Sequence, residues 1–155
     1  MSINIVCVGN LKEKFWKDAI NEYSKRISAF AKISIFEVKE SIYGMSDQEI
    51  LKAKKEEALR LEKFKSQFNV ALEIKGEEFT SEEFADKINS LMTRGTSSVS
   101  FFVGGSFGLD KVFSDSLNLK LSFSNFTFPH QLMRVILIEQ IYRAFTIING
   151  KTYHK

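Results

Sequence analysis

The chain has 155 residues, 44% of them hydrophobic, with fifteen Phe and one Pro, which favours one ordered domain, 1–155, over a disordered segment. No stretch approaches the roughly 18 apolar residues of a membrane helix. The apolar run at residues 3–8 is too short for a signal peptide and has no basic residues before it, so a cytoplasmic protein without membrane contact is expected. Net charge is +3, and its placement matters more than its size. Residues 1–128 carry 18 Lys plus Arg against 18 Asp plus Glu, so the excess lies in Arg134, Arg143, Lys151 and Lys155, opposed by Glu139 alone. Such a basic end is a modest nucleic-acid signal, and equally the ordinary complement of a helix C-terminus.

Strand-like and helix-like segments alternate along the chain. Residues 3–8 read as a strand, with Cys7, the single cysteine, as a buried and inert thiol. Gly9 and Asn10 break it. Phe15, Trp16, Ala19, Ile20, Tyr23, Ile27 and Phe30 then recur at helical spacing. Residues 32–38 are a second strand. Ser46 and Glu49 have the form of a capping box, opening a charged helix to about Phe64. A third strand is expected at 69–74, and a second capping box, Thr80 with Glu83, precedes a helix burying Phe84, Ile88, Leu91 and Met92. Residues 98–103 form the fourth strand, followed by a Gly-rich turn, a short helix near 111–117 and a fifth strand at 120–124. Pro129 then introduces a long last helix. Five βα units predict an α/β fold, a parallel sheet with helices on both faces.

The last helix is apolar on nearly every side, through Leu132, Met133, Val135, Ile136, Leu137, Ile138, Ile141, Tyr142, Ala144, Phe145, Ile147 and Ile148. An outer helix of a small α/β domain needs only one apolar stripe. A second cover is therefore expected, most simply a two-fold related copy of the same chain. A helix buried centrally in one chain is the alternative.

Some motifs can be set aside. Gly150-Lys151-Thr152 follows a helix rather than preceding one, and position 145 is Phe, so it is no phosphate-binding loop. Val8-Gly9-Asn10 has one glycine and lacks the dinucleotide-binding turn. The two histidines and one cysteine make no zinc site, and no metal is expected. Gly104-Gly105-Ser106-Phe107-Gly108 does match G-x-S-x-G, with Asp110 or Asp115 and His130 or His154 in hydrolase order. Yet the chain is short for an α/β-hydrolase, and both Asp lie too close to the Ser in sequence. A better account starts from position. Leu72, Gly104-Gly105 and the segment Phe123, Ser124, Asn125, Phe126, Thr127, Phe128 all fall at carboxyl ends of strands, where open parallel sheets bind ligands. The glycines would let a planar ring approach the backbone. Apolar side chains beside free backbone N–H and C=O groups suit an adenine, and no cationic cluster invites a triphosphate.

Three further stretches complete a pattern. Phe102-Val103-Gly104-Gly105-Ser106-Phe107-Gly108-Leu109, Leu121-Ser122 running through Thr127-Phe128-Pro129-His130, and Arg134-Val135 with Glu139-Gln140-Ile141-Tyr142-Arg143-Ala144 and Tyr153-His154-Lys155 resemble the RlmH family of SPOUT methyltransferases. Val8-Gly9, Lys12 to Trp16 and Tyr23 are similar to that family as well, so the resemblance spans the chain. It implies a C-terminal trefoil knot, S-adenosyl-L-methionine held bent in that knot, and a homodimer. It implies methylation at N3 of a pseudouridine (position 1915) in helix 69 of the large-subunit ribosomal RNA, on the assembled 70S ribosome. By matching positions, Leu72, Gly104 and Phe123 to Phe128 would contact the cofactor. Many relatives have Arg where this chain has Lys155, which keeps the charge without the bidentate contact.

For the chemistry, N3 of a uracil-type ring must lose a proton, and histidine is the residue type suited to take it near neutrality. His154 is the candidate, with Tyr153 placed to stack on the base and Arg143 beside them. Arg134, Lys151 and Lys155 are candidate phosphate contacts. Arg143 could instead pair with Glu139 at i,i+4. His130 is left open between a structural and a functional role. A fold-retaining RNA-binding or assembly factor is the main alternative to an enzyme.

Overall fold

The computed structural model describes residues Met1–His154; Lys155 lies outside the described residues. Ten elements alternate as expected: β1 (Ser2–Val8), α1 (Lys14–Ile27), β2 (Lys32–Val38), α2 (Asp47–Glu62), β3 (Phe68–Glu78), α3 (Ser81–Thr93), β4 (Ser98–Val103), α4 (Lys111–Asp115), β5 (Leu119–Ser122) and α5 (His130–Ile148). The five strands form one sheet in the order β2-β1-β4-β3-β5, every neighbouring pair parallel.

Strand alternation sends side chains to two separate cores. Along β1, Ile3, Ile5 and Cys7 join Val99, Phe101 and Val103 of β4 in the larger core, under α1, α3 and α5. Val6, Val8 and Phe102 point the other way, to Ala58 and Leu61 of α2 and Phe113 of α4. Helices therefore cover both faces. Each fully buried Phe or Ile contributes roughly 1.5–3 kcal/mol of apolar transfer. A polar exception among them, Ser100, is satisfied: its hydroxyl donates to the Phe64 carbonyl at 2.8 Å and accepts from Asn4 at 3.2 Å.

Both capping boxes form. Ser46 accepts from the Glu49 amide and Thr80 from the Glu83 amide, while each Glu reaches back to its cap's N–H. Two strand boundaries move. β5 ends at Ser122, two residues before the expected limit, because Ser122 donates from its hydroxyl to the Ile74 and Ser124 carbonyls and turns the chain. β3 runs four residues past Ile74, to Glu78, with a register shift against β5 between Leu72 and Glu77. Its charged second half reads as loop in sequence because it is mostly exposed.

No residue of α5 is exposed, and its fully buried members include Leu137, Ile138, Ile141, Ala144 and Phe145. Helices α1 and α3 flank it. Leu132 and Ile136, four residues apart, stay only half-buried and outside both cores, so one apolar stripe remains open. No described helix is long and apolar enough to cross a membrane.

Cys7 is wholly buried, and burial pushes its thiol up to about 12. Since the thiolate is the nucleophile, the folded protein should resist a disulfide reagent at pH 8 and react at once in denaturant. Fast labelling of the native chain would contradict this packing.

Candidate functional site: a cleft at the carboxyl ends of the strands

A cleft of about 830 Å³ opens where β3, β4 and β5 end. Leu72 and Lys75 line it from β3, residues 104–108 from the turn after β4, and Pro129, His130 and Met133 from the start of α5. The loop after β5 contributes Phe123, Ser124, Phe126, Thr127 and Phe128. Of the cofactor residues expected from the sequence, only Asn125 is off the wall. The size and the mixture of aromatic side chains with polar loop backbone suit a small molecule with apolar faces and a polar edge.

The loop after β5 is shaped from within. The Phe126 amide donates to the Ser124 hydroxyl at 3.0 Å, and Phe123 meets Phe84 edge-on, with ring centroids 6.5 Å apart. Phe126 itself is 77% exposed at the rim.

The glycine turn has a different reason from the expected one. A Cβ on Gly104 would lie 2.5 Å from the Gly108 carbonyl carbon and 2.7 Å from the Leu109 nitrogen. A Cβ on Gly105 would press on Val8 and the Glu40 carboxylate, each at 3.1 Å. The turn folds back on itself, through Gly108 N–H to the Gly105 carbonyl at 3.1 Å. Glycine is needed for the chain's own close approach before any ligand arrives. Glu40 then holds the turn from outside, accepting from the Ser106 hydroxyl at 3.0 Å and its amide at 3.4 Å. Sequence reasoning missed Glu40, which lies 66 residues from its partner.

That geometry also disposes of the hydrolase motif. Ser106 donates to Glu40 rather than to a histidine. Asp110 caps α4 through the Phe113 amide, and Asp115 pairs with Lys111 and Lys120.

Arg134 requires a correction. Expected to contact phosphate, it is 1% exposed. Its guanidinium donates to the Val8 carbonyl at 2.7 Å, the Gly9 carbonyl at 2.9 Å and Glu37 at 3.0 Å. It presents nothing to a nucleic acid; it braces α5 against the end of β1. The His130 side chain, on the cleft wall, makes no hydrogen bond among the described residues. Burial first, then the Arg134 cation, hold its imidazole below the usual histidine range.

The remaining tail candidates gather along the second half of α5. Arg143 pairs with Glu139 at 2.7 Å, as the i,i+4 spacing suggests, and also donates to His154 Nδ1 at 3.2 Å. Tyr153 donates to Glu139 at 3.1 Å and lies edge-on to Tyr142. Burial, followed by hydrogen bonds to Tyr23 and Glu139, pushes its phenol well above the usual range, so it stays neutral. Lys151 is exposed, its ammonium 5.9 Å from the centre of the Phe30 ring. Lys155 lies outside the described residues. Arg143 follows His130 by thirteen residues of helix, about 20 Å at 1.5 Å each.

Comparison with known proteins decides the family. A family model described as "Predicted SPOUT methyltransferase" matches residues 1–154. A protein of Methanococcus maripaludis (strain C5) named "Putative ribosomal RNA large subunit methyltransferase H" is 53% identical over 159 aligned positions, covering all of both chains. The chain belongs to the RlmH family of SPOUT methyltransferases. The α/β parallel sheet of this methyltransferase is consistent with that family.

Two substitutions test the site's construction. Arg134→Ala strips the donor from two carbonyls and a carboxylate, and should cost about 3 kcal/mol, read as a lower urea midpoint at constant slope. Gly104→Ala forces backbone to move and should cost about 1–3 kcal/mol, read in the same urea titration. An unchanged midpoint would contradict the close approach of Gly104 to Gly108 and Leu109.

Proposed function

We propose that this chain is an S-adenosylmethionine-dependent methyltransferase of large-subunit ribosomal RNA, acting at N3 of a pseudouridine in helix 69 on the assembled 70S ribosome in the cytoplasm. The observation that carries this reading is the cleft itself, built from the glycine turn and the 123–128 loop in a chain that matches its family from end to end. The name of the Methanococcus protein supports the substrate class. The same membership favours a single domain over 1–155 with a knotted C-terminal segment.

S-adenosylmethionine would supply a methyl group already activated on a sulfonium. Leu72, Gly104 and the 123–128 loop, Asn125 through its backbone, would hold it, and the cleft's size and apolar faces fit its adenosine. The protein's own share is then alignment, exclusion of water and handling of the N3 proton. The second set of groups, Arg143, Tyr153 and His154, with Lys151 toward the RNA, lies along the second half of α5, and Lys155, outside the described residues, would add to the RNA-facing charge. That helix has 19 residues and is about 28 Å long. A homodimer pairing two α5 helices antiparallel through the open Leu132–Ile136 stripe would set one chain's tail against its partner's cleft. Such a dimer covers the stripe and completes the site in one step.

The deciding experiment incubates the protein with labelled S-adenosylmethionine and ribosomes lacking the modification, then locates the methyl by mass spectrometry of the ribosomal RNA. One methyl on the helix 69 pseudouridine is expected. Deleting residues 151–155 should lower the rate by roughly a hundredfold or more while cofactor affinity is retained. Methylation elsewhere would overturn the target, and an absence of cofactor binding would favour a non-catalytic assembly factor.

A further inference from the structure

His154 is held on both sides of its ring. Nδ1 lies 3.2 Å from an Arg143 N–H, and Nε2 lies 2.7 Å from Glu82 Oε1. Arginine can only donate, so Nδ1 must offer its lone pair to it. The ring proton therefore sits on Nε2 and is donated to Glu82. The hydrogen-bond inventory thus selects one of the two neutral tautomers without recourse to titration.

Glu82 is placed for this by the fold rather than by chance exposure. The Thr80 cap fixes the first turn of α3, where Glu82 lies. Ser81 donates to Gln140 at 2.9 Å, tying that turn to α5. Glu139 in turn fixes Arg143 and Tyr153. The charged groups around the imidazole are thus Glu82 from α3 and Arg143 and Glu139 from α5, with the neutral Tyr153 phenol beside them.

We infer that Glu82 is the positioning residue of the C-terminal tail, accepting Nε2–H of His154 so that Nδ1 is the nitrogen able to receive a proton. This rests on the reading that the tail serves methyl transfer. In the free protein Arg143 covers Nδ1, so His154 has no lone pair to spare. An RNA phosphate that draws the guanidinium away would uncover it. The N3–H electron pair would then stay on N3, the proton would pass to Nδ1, and the imidazolium so formed would remain paired with the Glu82 carboxylate. Nothing else is consumed in the step. A base oriented through its second nitrogen by a carboxylate is a recurrent arrangement in proton transfer.

The chain has only two histidines, so its imidazole nitrogens are readily assigned by nitrogen-15 NMR, with His154→Ala identifying the pair that disappears. The free wild-type protein should show a protonated Nε2 and an unprotonated Nδ1 at His154. Glu82→Ala should mix the tautomers and lower kcat for methyl transfer to unmodified ribosomes roughly tenfold, with the KM for S-adenosylmethionine unchanged. Glu82→Gln, which still accepts the hydrogen bond, should keep the tautomer and recover part of the rate. An unaltered tautomer and rate in Glu82→Ala, beside a slow His154→Ala, would overturn the role of Glu82 alone. A His154→Ala protein with wild-type rate would overturn the tail's role and this inference with it.

Discussion

The guanidinium of Arg134 is the joint on which the site's geometry depends. A cation this deeply buried is tolerable only when it is paired and hydrogen-bonded, and here two carbonyls at the end of β1 and the Glu37 carboxylate of β2 engage both terminal nitrogens of the guanidinium. Those carbonyls lie where β1 gives out, and Arg134 stands one turn into α5. The contact thus fixes where the last helix begins relative to the sheet. Pro129, His130 and Met133, all on the cleft wall, take their places from it. The Glu40 clasp on the Gly104–Gly108 turn sits beside the same junction, since a Cβ on Gly9 would meet both Glu40 and Arg134. Cleft and brace are two faces of one junction.

The second dependency runs along α5. The start of the helix meets the cleft, and its second half carries Arg143 and meets the returning tail, so cleft and tail form two half-sites with about 20 Å of helix between His130 and Arg143. The apolar excess on its surface and the separation of the half-sites are met by the same proposed pairing, which is why they are best considered together.

Much of this was legible in the sequence because it is local. Capping boxes span four residues, and the alternation of β1 and β4 or the stripe of α1 can be read within one window. The cleft was legible too, since strand ends and glycine turns are visible as such. What escaped reading was long-range or ambiguous in charge. Arg134 looks like a surface cation until the carbonyls 125 and 126 residues away are brought beside it. Glu40 and Ser106 give no sign in sequence of meeting. Lys75, Gly76, Glu77 and Glu78 lack strand periodicity, and β3 persists through them only because β5 pairs alongside. The resemblance to a known family contributed what periodicity had no means to suggest, namely the chemistry of the cofactor and the target.

The strand order has a consequence for how the molecule is made. β1 is an interior strand of the sheet, yet only one of its edges can be covered early, by β2; the other waits for β4, whose partners lie 96 residues further along. The Arg134 joint closes later still. During synthesis the apolar N-terminal strand therefore leaves the ribosome with one polar backbone edge unpaired until β4, ending at Val103 of the 155 residues, has followed. Contacts of such long sequence span favour slow, late folding. Half-made chains of this protein are thus natural clients for chaperones that shield exposed strands.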